Sequence, residues 1–291
     1  MEKNNVNCVP KDIDRICAPG KKFSEGSCFS IKQLKKITES YNNKYPNDKI
    51  NITNNKRDLL IKLIKNIKKQ YSCGNQTCWL GLDIIQELED TEINDFTFRP
   101  EGPNGEKEWL STTDINNVLM QYQNKFSDFF SGGAVPYDFE ELDMLGFKNI
   151  NFQNYIDRGK YKFGLVINLD THDKSGSHWV SLFANFNKKQ IYFFDSFGGK
   201  PGKRIRKFMN KIAEFMNKKK YNNEIIKNLD SVDGIDLRYN KIQHQFKNTE
   251  CGVYSINFII RLSDGESFES ITNNITKDND MNSCRKLYFR N

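Results

Sequence analysis

The chain has 291 residues, with 44 basic against 37 acidic side chains, a net charge of +7 and only three histidines. Its 22 Phe, 12 Tyr and 3 Trp can build a sizeable core, and 18 Gly with 7 Pro are too few for a collagen-like or low-complexity chain. No apolar run approaches the roughly 18 residues of a membrane helix, and the polar start MEKNNVNCVP lacks a signal-peptide core, so a soluble intracellular protein is expected.

Seven cysteines are an odd number. In a chain without a secretion signal they read as free thiols rather than a disulfide framework. Cys73 and Cys78 have no second pair at ligand spacing, so neither a metal nor another cofactor is expected. Cys284 reads as a plain thiol.

Residues 1–105 form an accessory arm, expected to be mainly helical. Ser30 is placed to cap a helix in IKQLKKITESY. In 56–70, Leu60, Leu63, Ile64 and Ile67 share one face and the lysines lie elsewhere, the pattern of an amphipathic helix packed on a core. Residues 76–90 suggest another helix, and Gly102-Pro103-Asn104-Gly105 a turn at the junction. Residues 106–291 alternate between helix and strand signals. A helix with a Thr cap is expected over 112–130, broken by Gly132 and Gly133. Strand-like runs follow at 161–170, 178–186 and 190–196, the last two joined by a connector short enough for a hairpin. A basic helix over 203–219, a strand over 235–243 and an apolar helix over 251–262 complete an α+β pattern.

The chemistry concentrates in three short segments. His178 opens one hairpin strand and Asp195 ends the other, so antiparallel pairing sets them side by side. Cys251 begins a helix, where the macrodipole and unpaired backbone N–H groups favour a thiolate. A cysteine, a histidine and a carboxylate that fixes the imidazole are the parts of an acyl-transfer site. The Cys251 N–H and the Gln245 amide are suitable oxyanion donors, and Gly252 lets backbone pass close to a substrate. Singly, each residue has an ordinary structural explanation; the ordered set is far more specific.

The segments SHWVSLF, IYFFDSFGG, QFKNTECGVYS and EWLSTTDINNVL resemble the SUMO-protease-like cysteine peptidases, a family that includes adenovirus protease, over residues 106–291. The resemblance implies a papain-like core, a central mixed sheet flanked by helices. It makes Cys251 the nucleophile, His178 the general base, Asp195 its orienting partner and Gln245 part of the oxyanion hole. Trp109 and Trp179 would flank a substrate tunnel narrow enough for glycine, with cleavage after Gly-Gly or a similar small-residue motif.

After Trp109-Leu110 the chain carries Ser111-Thr112, where SUMO proteases place Asn-Asp. This departure falls where the modifier protein is engaged. With the long N-terminal arm, it makes the chain most similar to the maturation proteases of large DNA viruses, of the poxvirus and African swine fever virus type. These process structural polyproteins, which implies a virion and host-cytoplasm location. Deconjugation of a ubiquitin-like modifier is the second reading.

Lys200 to Lys220 contain nine basic residues and one acid. They read as a solvated helix face, with a nucleic-acid-binding patch as the sharper alternative. Phe208, Ile212 and Phe215 are spaced to face the core. The pairs Gly132-Gly133 and Gly198-Gly199 read as turns, not as cleavage sites.

Overall fold

In a computed structural model, residues 16–103, 107–221 and 233–290 are described. Cys8, with Asn104 and Gly105 of the turn cluster, lies outside them. The described residues fall into two compact units, one of 16–101 with 288–290 and one of 102–287. The last residues therefore belong with the N-terminal unit.

The first unit is built on α1 (Ile31–Lys44) and α2 (Lys56–Tyr71). Ser30 accepts from the Gln33 N–H while the Gln33 side chain returns to the Ser30 N–H, a reciprocal cap. Asn55 caps α2 in the same sense by accepting from the Asp58 N–H. Leu34, Ile37 and Tyr41 of α1 meet Leu59, Leu63 and Ile67 of α2 around Phe29, Trp79 and Phe98. The helix expected over 76–90 is broken. A 3-10 turn at Cys78–Gly81 gives way to extended Leu82, then to α3 (Asp83–Gln86) and α4 (Thr91–Asn94).

Two disulfides, Cys17–Cys28 and Cys73–Cys78, correct the expectation of free thiols. The fold brings their Cα atoms to 5.5 and 6.0 Å, within bonding range. Cys284 is fully buried and also disulfide-bonded, not a plain thiol. Among the described residues, Cys251 is the one free cysteine.

The second unit begins with α5 (Thr112–Lys125) and β1 (Phe129–Val135). The cap of α5 is Ser111, one residue before the expected Thr, and Asp114 closes the reciprocal box. The helix stops at Lys125, and Phe129-Phe130 are strand residues paired with Lys162 and Phe163. Gly132-Gly133 do not form a turn. They sit where the register of β1 shifts between Ser131 and Ala134.

After a short α6 (Gln153–Ile156) come β2 (Lys162–Asn168), β3 (Trp179–Asn185) and β4 (Gln190–Phe194). Then follow α7 (Lys203–Asn217), β5 (Asp236–Tyr239) and α8 (Cys251–Ser263). The short helices α9 (Phe268–Asn273), α10 (Asp278–Ser283) and α11 (Arg285–Tyr288) close the chain. The five strands lie in sequence order, parallel at both edges and antiparallel across β2, β3 and β4. This is the mixed sheet of an α+β fold.

Alternation along the strands sends side chains into two layers. Leu165 and Ile167 of β2, Val180 and Leu182 of β3, and Ile191 and Phe193 of β4 pack with Ile205, Phe208 and Ile212 of α7, and Phe215 joins from the edge. On the opposite face, Phe194 stacks on Phe258 of α8 at 4.9 Å between ring centres. Gly164 makes that approach possible, because a Cβ there would stand 2.6 Å from Ile259 of α8. The nucleophile candidate thus begins a helix pressed against the middle of the sheet.

Candidate active site

The hairpin does what its sequence predicts. Ser181 pairs with Phe194, so His178, just before β3, and Asp195, just after β4, meet at the same end of the sheet. His178 Nε2 lies 2.7 Å from Asp195 Oδ1, and both residues are buried. With Nε2 committed, Nδ1 is the ring nitrogen left for Cys251. Burial disfavours the imidazolium, but hydrogen bonds to Asp195 and to Cys251 and the charge of Asp195 outweigh it. The pKa of His178 is pushed up to about 9.

Asp195 is held from several sides. Its Oδ1 also accepts the Phe197 N–H at 2.9 Å. Buried Asn240 accepts from the Asp195 N–H at 2.8 Å and donates to the Asp195 carbonyl at 2.7 Å. Gly198 closes the turn with its N–H on the Asp195 carbonyl at 2.8 Å, and Gly199 lies against the carboxylate, where a Cβ would come within 2.4 Å of Asp195 Oδ2. Of the Gly198-Gly199 pair, Gly198 thus ends a turn, in part as expected, and Gly199 follows it beside the carboxylate.

Gln245 is fully buried. Ser196 Oγ donates to its Oε1 at 2.6 Å, and the Ser196 carbonyl accepts the Gln245 N–H at 2.9 Å. The amide is thereby oriented with Nε2 buried and unpaired within the protein. A buried donor without a partner is costly, and one aimed by its neighbours is the kind of group that receives a developing negative charge. Cys251 itself is buried at the first position of α8, its N–H at the positive end of the helix.

Trp179 Nε1 donates to the Leu110 carbonyl at 2.9 Å and is largely buried, whereas Trp109 is 46% exposed. That bond ties the Trp109-Leu110 segment to the start of β3, next to His178. Gly252 serves a different end from the one expected. A Cβ there would stand 3.0 Å from Leu110 Cβ, so the glycine admits Leu110 beside α8.

The other histidines have separate partners. His172 Nδ1 lies 2.6 Å from Asp138 Oδ2 on an exposed loop, and that hydrogen bond raises its pKa. His244 is buried with Nε2 3.1 Å from the Thr272 carbonyl, and burial lowers its pKa. Three residues carry roles that the motif reading did not assign. Asn240 and Ser196 brace Asp195 and Gln245, and Phe197 stacks on the His178 ring with centres 4.5 Å apart. Ser196 and Phe197 follow Asp195 directly, so their nearness to it is visible in the sequence. Asn240 is a polar residue after a strand, with no pattern around it.

The basic run is largely engaged. Arg204 pairs with Glu141, Lys207 and Lys211 with Glu140, Lys219 with Asp233 and Lys220 with Glu214. No described helix is long and apolar enough to cross a membrane.

Residues 165–291 match the Ulp1 protease family, C-terminal catalytic domain. A protein of Acanthamoeba polyphaga mimivirus described as a thiol protease is 36% identical over 95% of this chain and 93% of its own length. The chain belongs to the Ulp1 protease family. It is a cysteine-type peptidase. The SUMO-1 cysteine protease of an African swine fever virus isolate is 25% identical over 77% of this chain and 85% of its own length. The crystal structure of an African swine fever virus protease shares the fold, with a TM-score of 0.63 at 20% identity, covering 95% of this chain and 96% of that one. In this chain the fold places His178, Asp195 and Cys251 at the ends of β3, β4 and α8.

Proposed function

We propose that this Ulp1-family peptidase cuts polypeptides after Gly-Gly or a similar small-residue motif. Cys251 attacks the scissile carbonyl, and His178 takes the thiol proton and later delivers it to the leaving amine. Asp195 fixes the imidazole. Gln245 Nε2 and the Cys251 N–H hold the oxyanion. The observation that carries this reading is His178 between Asp195 and Cys251, with the unpaired Gln245 amide as the fourth part.

Trp109 and Trp179 serve as tunnel walls. A glycine has no Cβ to obstruct passage between two indoles, which supports the small-residue preference. Processing of structural polyproteins during virion maturation is the favoured role, in keeping with relatives from two large DNA viruses. The names of some African swine fever virus relatives mention SUMO-1, which keeps deconjugation as the second reading. Both roles predict turnover dependent on Cys251, and they differ in substrate. A maturation protease cleaves a short Gly-Gly-X peptide without a folded modifier. Measurable turnover only on a folded ubiquitin-like conjugate would replace the first role by the second.

A further inference from the structure

Glu250 stands immediately before Cys251 at the N-cap of α8, where a short polar side chain such as Asp or Ser usually reaches the first N–H groups of the helix. Its side chain makes no such bond. It is turned inward and is only 1% exposed. Oε2 accepts from Arg285 Nε at 3.0 Å, and Oε1 accepts from Asn282 Nδ2 at 2.9 Å and Thr249 Oγ1 at 3.0 Å. The Arg285 guanidinium, itself 8% exposed, goes further. Its Nη2 donates to the Glu108 carbonyl at 2.7 Å and to the Thr249 carbonyl at 3.2 Å. Glu108 is the residue before Trp109.

We propose that Arg285 is a positioning residue that holds the Trp109 wall of the substrate passage in fixed register with the Cys251 helix. This rests on the reading of Cys251 as nucleophile and Trp109 as wall. The planar guanidinium is suited to the task, because its fork grips a carboxylate and a backbone carbonyl at once. One side chain thereby joins three segments far apart in sequence: the approach to Trp109, the approach to Cys251 and the start of α11. A second tie, Trp179 Nε1 to the Leu110 carbonyl, fixes the same segment to the start of β3, next to His178. Trp109 itself is 46% exposed. The carbonyls on either side of it are both held, Glu108 by Arg285 and Leu110 by Trp179.

Buried ion pairs are often neutral or costly for stability relative to apolar replacements, so a geometric role is a reasonable ground for keeping this one. The test compares the full-length wild type with Arg285→Lys and with the paired change Glu250→Met/Arg285→Met, which removes both charges together. Three quantities are read: thermal midpoint, the rate of Cys251 alkylation by iodoacetamide, and KM and kcat on a Gly-Gly-X peptide.

Lysine keeps the charge beside Glu250 but not the fork to Glu108. Arg285→Lys is expected to stay folded with a modestly lower midpoint, because buried carbonyls lose a donor, and to keep its alkylation rate, since a small electrophile needs no wall. Its kcat/KM falls about tenfold or more, chiefly through KM, as a misplaced substrate group would produce. The paired variant, where it folds, behaves alike. Wild-type kcat/KM in Arg285→Lys overturns the proposal. So does a parallel loss of alkylation and turnover, which would make Arg285 a structural residue only. Trp109→Ala run alongside separates the premise from the proposal: wild-type turnover there removes the wall itself.

Discussion

His178 Nε2 and Asp195 Oδ1 stand 2.7 Å apart in a buried pocket, and the ring belongs to a strand end while the carboxylate belongs to the turn after the next strand. Asp195 and Cys251 outweigh the penalty of burial and raise the imidazole pKa from 6.5 to about 9. A raised histidine stabilises the fold fully below its unfolded value and loses that contribution as pH climbs through the folded one. The excess in thermal midpoint of the wild type over Asp195→Asn should therefore be largest below 6.5, shrink as pH climbs from there to about 9, and be lost above that. The same change should lower kcat by about 10²–10⁴-fold and move the alkaline limb of the rate profile to lower pH. An unchanged limb in Asp195→Asn would break the link between the two residues.

Gly199 lies against the other oxygen of the same carboxylate. Gly199→Ala places a methyl group 2.4 Å from Asp195 Oδ2, so either the turn or the carboxylate must move. Turnover should fall about tenfold or more, because displacement of a catalytic group by about 1 Å is expensive. A steady-state assay decides it, and a fully active Gly199→Ala enzyme would show that Asp195 tolerates the shift.

The cysteines divide by role. Alkylation of the unfolded, unreduced protein followed by peptide mapping should modify Cys251 and spare Cys17, Cys28, Cys73 and Cys78. After reduction the first unit should lose stability, about 2–4 kcal/mol for each bridge on the usual scale. Modification of Cys73 or Cys78 before reduction would contradict the pairing.

Duplex DNA should leave the peptidase rate unchanged at moderate ionic strength. Five of the nine cations between Lys200 and Lys220 already face Glu140, Glu141, Glu214 or Asp233, which weakens the field that phosphates would meet. Salt-sensitive acceleration by DNA would restore the patch.

Much of this was legible in the residues. The period-two runs located β2, β3 and β4, and hairpin pairing alone put His178 beside Asp195. The apolar helix with a cysteine at its head was likewise plain. What escaped was set by tertiary context. The cysteine bridges depend on Cα distances that only the fold supplies. Phe129 and Phe130 carry a helical pattern on from α5, yet the parallel partner Phe163 claims them for the sheet. Between 76 and 90 apolar residues are dense on all sides. Trp79, Ile84 and Ile85 are buried by two short turns rather than by one helical face. Asn240 has no motif at all, and its role appears only once the Asp195 backbone lies against it.

The most direct measurement is hydrolysis of a Gly-Gly-X peptide by wild type and Cys251→Ala, with folding of both checked by thermal midpoint. The wild type should turn over and Cys251→Ala should lose activity to background while it keeps its fold, because no other described cysteine is free to replace the nucleophile. Full activity in a folded Cys251→Ala protein would contradict the account.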